Sequence, residues 1–436
     1  MIGVYGHGSA RDSACLLRLE AELGLGAVRF FECGKNAVLD AKPSSVPVRI
    51  EDHRETAKLA RADGIRHVLI TDAQVLQTPV ADSLVSAGIP VLGPSCHAAQ
   101  LEGSKGLMKR LVTAAGVPTP EGRLFESVAD AKAFLKENWT DERQFVVKTN
   151  RFIMDGSHRS MVPGNLAEGL EDLDEELDAL LAAHEPAGFV VERRISGFET
   201  SVHVLWDGDT YILFPPVRDY KPVHDGDNGP NTNGAAALAC GRGFSRELEG
   251  KLRKRIIESM LGQLSRSGYG YRGFLYFGVM LCDGEPQLLE INVRPGNPEF
   301  IVLLALLRSG FGDLIEHAIA GTLHKARVEW HRDRYSGAVF AMAEGYPGVE
   351  TVGATPISGL EDALASGRLV TEGVARSPDG RYAVSGGRVA APVATADTIE
   401  ATKQAVYQDL AGIDFAGKHF RGDLGFGIAD GLFKAP

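Results

Sequence analysis

The sequence lacks the marks of a secreted, membrane-spanning or disulfide-bonded protein. Its longest apolar run, IVLLALL, is far shorter than the roughly 20 residues that a membrane helix needs. The start, MIGVYGHGSARD, has no basic segment followed by an apolar run, so a signal peptide is not expected. The cysteines are odd in number and form no CxxC pair, which indicates reduced thiols: Cys15, Cys33, Cys96, Cys240 and Cys282. We therefore expect a cytoplasmic protein without a membrane partner.

An excess of positive charge is also missing. The net charge is -11 at pH 7, whereas a nucleic-acid footprint needs a basic face, so no nucleic-acid partner is expected. Hydrophobic residues make up 44% and charged residues 24% of the chain, which is typical of a globular protein. A chain of 436 residues is long enough for about two to four domains, each with its own core.

The pattern of strands and helices divides the chain into four blocks: 1–100, 101–190, 191–328 and 329–436. In the first, the apolar segments IGVY, HVLITD and IPVLGPS alternate with helical segments, which predicts an open parallel sheet. A Gly-rich turn, GHGSA, follows the first strand, but the full dinucleotide-binding fingerprint is absent. The second block combines helices around LEGSKGLMKRLVTAAG and SVADAKAFLKEN, a strand FVVK, and an acidic amphipathic helix at 165–185.

The third block is rich in strand signals: FVVERRI, TSVHVLW, TYILFP, GFLYFGVML and QLLEINV. Between them, residues 218–238 are polar and Gly-rich, which predicts a long functional loop and not a core element. The fourth block has short strands, turns and one helix, DTIEATKQAVYQDL.

The segment QLLEINVRPGNPEF, residues 287–300, carries the clearest chemical signal. Strand alternation puts Glu290, Asn292 and Arg294 on one face. Two oxygen donors on one face suit Mg²⁺, which completes its shell with phosphate oxygens and water. An arginine beside them can hold a phosphate or a carboxylate. The alternative is a strand edge with three solvated polar groups.

Four further residues strengthen the metal interpretation when they are taken together. Lys105 lies at a helix start and Lys148 ends a strand, while Glu192 and Glu199 flank VERRISGFE. Each alone is also typical of a surface residue. Two lysines and a metal pair at strand ends would form a site for a nucleoside triphosphate. No Ser/His or Cys/His arrangement indicates a nucleophilic enzyme.

The motifs resemble, in order and spacing, those of the phosphoribosylamine–glycine ligase family. They are GPSCHAAQLEGSKGLMKRLVTAAGVPTP, FVVK, VERRISGFETSVHV, DGDNGPNTNG, RGFLYFGVML, LLEINVRPGNPE, EGYPG, SGGRV and YQDLAGIDFAGKHFRGDLG. The resemblance implies an α/β (α+β) ATP-grasp fold. Its parts would be a Rossmann-like N-terminal domain, a lid subdomain, an ATP-grasp core and a β-rich C-terminal domain, in the four blocks above.

The resemblance also implies a mechanism, in which ATP phosphorylates a carboxylate and an amine attacks the acyl phosphate to give an amide. Lys105 and Lys148 would contact the ATP phosphates, Glu192 and the backbone of Arg194 the adenine, and Glu199 the ribose. Glu290 and Asn292 would hold Mg²⁺ or Mn²⁺. Catalytic Arg294 would grip the acyl phosphate or the acid. The other implied substrate-binding residues are Gly8, Arg11, Asp219, Lys221, Asn231, Thr232, Asn233 and Gly234.

Several segments depart from the family pattern. The phosphoribosyl loop is SARDSA at 9–14, the Gly-rich lid is KTNRFIMDGSHRS, the family's NTGGMG is NTNGAA, and its RFGDPE is RPGNPE. His158 or Arg159 would replace the missing lid lysine, and residues 149–165 would close over the nucleotide. We therefore expect a carboxylate–amine ligase with altered small-molecule substrates, as a monomer or homodimer. The alternatives are the authentic purine-biosynthetic ligase and a nucleotide-binding module without turnover.

Overall fold

The computed structural model describes residues 1–140, 144–151, 160–161, 188–348 and 355–428. Outside them lie His158 and Arg159, most of the predicted lid segment 149–165, and the predicted acidic helix at 165–185. The described part contains a parallel sheet near the N-terminus, a small four-stranded sheet, a ten-stranded antiparallel sheet and a two-stranded hairpin. The predicted α/β architecture is confirmed.

The N-terminal sheet is parallel, with strand order β3-β2-β1-β4-β5. Val4 and Phe30 belong to one hydrophobic core, whereas the next residues, Tyr5 and Phe31, belong to another. Both faces of the sheet are therefore covered, which explains why its strands read as continuous apolar runs. The strands are β1 Ile2–Gly6, β2 Val28–Glu32, β3 Ser45–Pro47, β4 His67–Ile70 and β5 Val91–Leu92.

Helix α1 begins directly after β1, because Ser9 and Asp12 form a capping box at its N-terminus. This brings the Gly-rich turn to the carboxyl edge of the parallel sheet, where such sheets bind ligands. The helices of this region are α1 Ala10–Leu23, α2 Ala37–Asp40, α3 His53–Ala62, α4 Ala73–Leu76 and α5 Val80–Ser86.

The predicted helix around LEGSKGLMKRLVTAAG is divided between two helices, α6 Cys96–Gly103 and α7 Lys105–Ala114, and the second begins at Lys105, where a helix start was predicted. Ser104 interrupts them, because its backbone is extended and its side chain accepts a hydrogen bond from Leu107 N as the N-cap of α7. The small sheet follows, in the order β6-β9-β7-β8. Its elements are β6 Gly122–Phe125, α8 Val128–Asn138, β7 Phe145–Thr149, β8 Ser160–Met161 and β9 Phe189–Arg193.

The ten-stranded sheet is antiparallel throughout, in the order β15-β14-β10-β12-β13-β16-β21-β17, with β11 paired to β10 and β18 to β21. It continues past residue 328, because β13 pairs with β16. The predicted boundary at 328 falls within the span of this one sheet, and all the predicted block boundaries stay predictions. The strands are β10 Phe198–Trp206, β11 Tyr211–Leu213, β12 Val217–His224, β13 Asn228–Cys240, β14 Gly273–Cys282, β15 Glu285–Asn292, β16 Tyr335–Val339, β17 Ala341–Met342, β18 Leu369–Thr371 and β21 Arg388–Ala396; the separate hairpin is β19 Val374–Arg376 and β20 Tyr382–Val384.

The predicted long loop at 218–238 is wrong, since most of it is the paired hairpin β12–β13. Its polar residues lie toward the tip, where Asn228–Asn231 are exposed, while Ala235–Cys240 are buried. Polar composition misled the prediction, because backbone pairing needs no apolar side chains at the open end of a hairpin.

The remaining helices pack on the large sheet or link it to the N-terminal region. The apolar run IVLLALL lies in α11, which is buried against α1 and the sheet. No described helix combines the length and hydropathy that a membrane crossing requires. The helices are α9 Arg246–Leu252, α10 Glu258–Arg266, α11 Glu299–Leu306, α12 Phe311–Ala320, α13 Leu360–Ala365 and α14 Ile399–Ala411.

Candidate active site

Glu290, on β15, is the centre of a charged cluster drawn from three parts of the chain. Its Oε2 lies 3.3 Å from Lys105 Nζ at the start of α7, and its Oε1 lies 3.8 Å from Lys221 Nζ on β12. Burial alone would raise the pKa of Glu290, but Lys105, Lys221 and Lys148 hold it well below its usual range. Glu290 is therefore an ionised carboxylate.

The donor set suits a divalent cation of the magnesium type. Asn292 follows Glu290 on the same strand face and is buried, so it adds a neutral oxygen donor. Within the described ranges, no group of three or more His, Cys, Asp or Glu side chains could enclose a metal. Mg²⁺ characteristically takes one or two protein ligands and shares the rest with phosphate and water, which this pair allows.

Glu192, predicted to meet adenine, is held between two lysines. Its Oε2 lies 2.6 Å from Lys148 Nζ and its Oε1 lies 2.8 Å from Lys109 Nζ. Burial alone would raise the pKa of Glu192, but Lys148 and then Lys109 lower it overall. Lys109 also donates to the Thr119 hydroxyl and the Pro120 carbonyl. The sequence analysis missed Lys109, although it lies one helical turn after Lys105 on the same helix face.

Lys105 is oriented by contacts at the N-terminus of α7. Its backbone N–H donates to the Asn150 carbonyl, and the Asn150 side chain accepts from Ser104 Oγ and Gly106 N. Asn150 lies just after the strand that carries Lys148. The residue following β7 therefore fixes the helix start, and so brings the two lysines to one site.

The two residues predicted at the outer part of the nucleotide site have partners within the protein. Arg194 donates through its backbone N–H to the Gln144 carbonyl and through its guanidinium to the Gln144 side chain. Glu199 is ion-paired with Lys221, and its carbonyl accepts from Arg218. Glu199 and Glu290 therefore share one lysine, which joins the predicted ribose and metal residues in a single network.

Arg294 and Arg11 form a second, basic part of the site. Arg294 Nε donates to Glu102 Oε1 at 3.1 Å, and Arg11 Nη1 donates to the Pro295 carbonyl at 2.8 Å. Burial and the nearby Arg294 lower the pKa of Arg11. Arg11 Nε is buried without a hydrogen-bond partner. Two close guanidiniums with an unpaired donor suit an anionic ligand. Glu102 was missed by the sequence analysis, although it precedes Lys105 in the same motif.

The N-terminal loop is shaped by Gly8, which has φ +82°. A Cβ there would lie 2.6 Å from Glu32 Oε1, so only glycine fits. The carboxylate of Asp12 accepts from Gly8 N and Ser9 N. In the longer loop SARDSA, the backbone N–H groups before α1 are therefore hydrogen-bonded to Asp12. The Arg11 side chain points to the turn after β15.

Thr232, Asn233 and Gly234 form the part of β13 nearest to this turn. Gly234 has φ +103°, and a Cβ there would lie 2.4 Å from Pro298 Cδ, so this glycine is required. Asn233, which replaces a family glycine, has no positive φ, so its side chain causes no backbone strain. Its N–H donates to the Tyr346 hydroxyl. Asn231, farther out, is exposed.

Asp219 lies beneath this segment, and its side chain is only 6% exposed. Its Oδ2 lies 3.3 Å from Lys221 Nζ, while its Oδ1 has no hydrogen-bond partner. Burial, reinforced by Glu299, raises the pKa of Asp219 to about 8, against the opposing effect of Lys221. An unpaired buried acceptor beside the substrate loop is suited to an N–H or O–H donor of a ligand.

Asn297 stands where the family pattern has aspartate, and its contacts give a reason. Its Nδ2 donates to Glu372 Oε2 at 3.0 Å, and that carboxylate comes from the residue after β18. An aspartate at 297 would set a second carboxylate against Glu372. The asparagine therefore suits its neighbour Glu372, to which it donates a hydrogen bond, and the change from the family's aspartate does not indicate a lost function.

Family comparisons agree with this geometry along the chain. The phosphoribosylglycinamide synthetase N-domain model matches residues 1–102, the ATP-grasp (A) domain model 103–300 and the C-domain model 336–427. The chain belongs to the phosphoribosylglycinamide synthetase family. The predicted resemblance is confirmed, and the chain is an ATP-grasp ligase that forms a C–N bond.

Individual relatives cover nearly the same extent. A phosphoribosylamine–glycine ligase of Rhizobium meliloti (strain 1021) is 33% identical over 381 residues, 87% of this chain and 88% of that one. The crystal structure of phosphoribosylamine–glycine ligase from Thermotoga maritima superposes with a TM-score of 0.78 at 26% identity, covering 97% of this chain and 99% of that one. The biotin carboxylase domain of Hydrogenobacter thermophilus 2-oxoglutarate carboxylase, solved with MgADP, shares the fold alone, with a TM-score of 0.66 at 16% identity over 96% of this chain and 91% of that one.

The expectation of altered substrates finds no support in these comparisons. Models of the phosphoribosylglycinamide synthetase family match in all three domains, and their ranges span the positions of the changed segments. The structure keeps glycine at positions 8 and 234, where positive φ requires it, and gives partners to the changed residues 233 and 297. The comparisons therefore favour the alternative, an authentic phosphoribosylamine–glycine ligase.

Proposed function

We propose that this protein joins phosphoribosylamine to glycine, with ATP converted to ADP and phosphate. The observation that carries the proposal is the cluster of Lys105, Lys221 and Glu290, placed beside the guanidiniums of buried Arg11 and partly buried Arg294. One half of this arrangement suits phosphoryl transfer and the other half suits an anionic substrate. The full-length match to the ligase family supports the choice of glycine and phosphoribosylamine.

The nucleotide would lie between the small sheet and the large one. Lys105 and Lys148 would neutralise its phosphates, Glu192 and the backbone near Arg194 would meet adenine, and Glu199 would meet the ribose. Lys148 is paired with Glu192 and Lys105 with Glu290, so nucleotide binding would exchange acid–lysine contacts for phosphate–lysine contacts. Such an exchange keeps the buried charges compensated at each stage.

Glu290 and Asn292 would hold Mg²⁺ or Mn²⁺, which neutralises phosphate charge and polarises the transferred group when it is bound. Arg294 would hold the glycine carboxylate and then the acyl phosphate. Its guanidinium is fixed by Glu102 through a hydrogen bond of 3.1 Å. Fixed positive charge where negative charge develops is the main contribution that a phosphoryl-transfer site makes.

Arg11, Asp219, Lys221 and the segment 231–234, with Gly8 at the turn, would bind the phosphoribosylamine. Asp219 Oδ1 is a buried acceptor without a partner, and Arg11 Nε is a buried donor without one. A ligand that carries both a phosphate and sugar hydroxyls would satisfy both atoms.

The test is product formation by the purified protein. ADP release would be measured with ATP, Mg²⁺, glycine and freshly generated phosphoribosylamine, and the ribonucleotide product would be identified by mass spectrometry. We expect glycinamide ribonucleotide only when all four are present, and much less ADP when alanine or serine replaces glycine. ADP release with another amine or acid, but not with this pair, would restore the altered-substrate interpretation. Nucleotide binding without any ADP release would favour the binding module.

A further inference from the structure

An ion pair in the C-terminal region, between buried Arg388 and partly exposed Glu372, connects three separate segments of the proposed amine-substrate pocket. Glu372 follows β18 and Arg388 begins β21. Arg388 Nη2 lies 2.7 Å from Glu372 Oε1, and its Nε donates to the same oxygen at 3.1 Å. Only 7% of the Arg388 side chain is exposed, and its guanidinium also lies over the Phe340 ring.

The carboxylate of Glu372 uses its second oxygen to hold two of these segments. Oε2 accepts from Ala10 N at the first turn of α1, at 3.1 Å, and from Asn297 Nδ2, at 3.0 Å. Burial alone would raise the pKa of Glu372, but Arg388, Asn297 and Ala10 lower it overall. The side chain therefore acts as a charged acceptor that bridges the N-terminal loop and the turn after β15.

The guanidinium of Arg388 holds the third segment. Nη1 donates to the carbonyls of Asn233 at 2.6 Å, Gly234 at 3.1 Å and Asn297 at 3.2 Å. These carbonyls belong to the β13 segment and to the turn that carries Arg294. One ion pair thus makes hydrogen bonds to all three segments, and it makes none to Lys105, Lys148, Glu192 or Glu290 in the described structure.

We propose that the Glu372–Arg388 pair is a positioning element for the amine substrate, acting through the segments 8–11, 231–234 and 294–298. This inference rests on the proposed function, because it names the pocket that those segments form. The pair fixes their relative positions, while the nucleotide and metal residues are fixed by a different network. Its loss should therefore weaken binding of the amine substrate selectively.

The physical basis is that a buried guanidinium is costly to leave without its counter-ion. Removing the charge of Glu372 leaves Arg388 buried without its counter-ion, which is more damaging than the loss of an exposed pair. The segments it holds are closely packed, because a Cβ at Gly234 would lie only 2.4 Å from Pro298 Cδ. Displacement of one segment would move the others, and small displacements of binding groups cause large losses in affinity.

The main experiment is the Glu372→Gln variant, which preserves size but removes the charge. We expect its KM for phosphoribosylamine to rise about tenfold or more, with kcat and the KM for ATP changed by less than about twofold. Asn297→Asp, which sets a carboxylate against Glu372, should give the same pattern. The control is Asp409→Asn, which breaks the ion pair with Arg368, an arginine that is 56% exposed against 7% for Arg388, and which should leave all constants unchanged.

A second measurement separates this inference from the proposed function. Hydrogen exchange of the segments 8–13, 231–234 and 295–298 should become faster in Glu372→Gln, while exchange in 105–114 and 189–193 should not change. If the wild-type protein makes no glycinamide ribonucleotide, the proposed function fails, and hydrogen exchange alone still decides whether the pair positions these segments. Equal increases in both KM values, or unchanged exchange in all three segments, would overturn the inference.

Discussion

At the scale of single residues, the acids and lysines of the nucleotide site form one compensated network. Glu290 contacts Lys105 and Lys221, and Lys221 also pairs with Glu199 and Asp219. Each lysine therefore already has an anionic neighbour in the place where a phosphate would bind. The network holds the lysines in position without exposing uncompensated buried charge.

The first prediction concerns Glu290. Glu290→Gln should lower ADP formation by at least about a hundredfold, because loss of even indirect metal partners costs about 10–100-fold and we propose this carboxylate as a direct ligand. The fold should persist, since Lys221 keeps Glu199 and Asp219 as partners and the introduced amide oxygen can still accept from Lys105. The control is Glu285→Gln on the same strand, where the exposed carboxylate pairs with Lys251 and Arg255. Near wild-type turnover by Glu290→Gln across a range of Mg²⁺ concentrations would contradict the metal assignment.

The second prediction concerns the pH dependence of stability at Asp219. Its pKa in the folded protein, raised to about 8 by burial and Glu299, lies above the value of about 3.9 in an unfolded chain. Between these values the folded state binds the extra proton, so this group destabilises the fold increasingly as pH rises from about 4 to 8. Asp219→Asn removes that effect.

The stability of Asp219→Asn relative to wild type should therefore increase between pH 5 and pH 8. Urea denaturation of both proteins at several pH values measures the difference. A difference that is constant with pH, or that falls as pH rises, would show that Asp219 is ionised throughout this range.

At the scale of helices and strands, periodicity predicted the parallel sheet, the polar strand β15 and the long C-terminal helix. It failed where pairing or a single cap decides the outcome. Ser104 divides a continuous helical pattern into α6 and α7, and the polar segment at 218–238 is a hairpin. Both features depend on contacts with segments that are distant in sequence, such as Asn150 for Ser104.

The same limit applies to the candidate site. Glu290, Asn292 and Arg294 were found because their alternating pattern predicts one strand face, although β15 ends at Asn292 and Arg294 lies in the turn that follows. Lys109 and Glu102 were missed because a charged residue on a helix is typical of a solvated surface. Their partners, Glu192 and Arg294, come from other elements, and only the folded structure brings these pairs together.

The third prediction tests helix α7 as the support of the adenine site. Lys109→Met should raise the KM for ATP about tenfold, because Glu192 loses one of two buried counter-ions and its remaining charge is less well compensated. Arg110→Met is the matched control, since the neighbouring side chain is exposed on the same helix. Isothermal titration calorimetry with ADP measures the nucleotide affinity of each variant directly. Equal affinities of the two variants would exclude a role for Lys109 at this site.

At the scale of the whole molecule, the large sheet unites the middle and C-terminal regions of the chain. Strand β13 pairs with β12 on one side and with β16 on the other. Tyr220 and Leu238, from the middle region, share a core with Val389 and Leu410 from the C-terminal one. The substrate segment on β13 is thus built on a strand that the C-terminal region completes.

This shared sheet also explains why sequence departures were misread. The changes at 233 and 297 were judged against the family pattern one segment at a time. Their partners, Tyr346, Glu372 and Arg388, lie in the C-terminal region, far along the chain. A changed residue with a suitable new partner preserves the pocket, and a sequence pattern that treats segments separately does not reveal such compensation.

The fourth prediction follows from the same sheet. A chain that ends at residue 330 loses β16 and β21, so it exposes the edge of β13 and the apolar surface around Tyr220, Ala236 and Leu238. Exposed edges and large apolar patches cause aggregation, so we expect this chain to be insoluble or to unfold without a cooperative transition. A chain that ends at residue 428 keeps every described contact. Its unfolding temperature should equal that of the full-length protein. Soluble expression and thermal denaturation of both truncated chains provide the measurement. A soluble 1–330 chain that melts cooperatively and binds ATP would mean that the C-terminal region is an independent unit, and that the pocket is held without it.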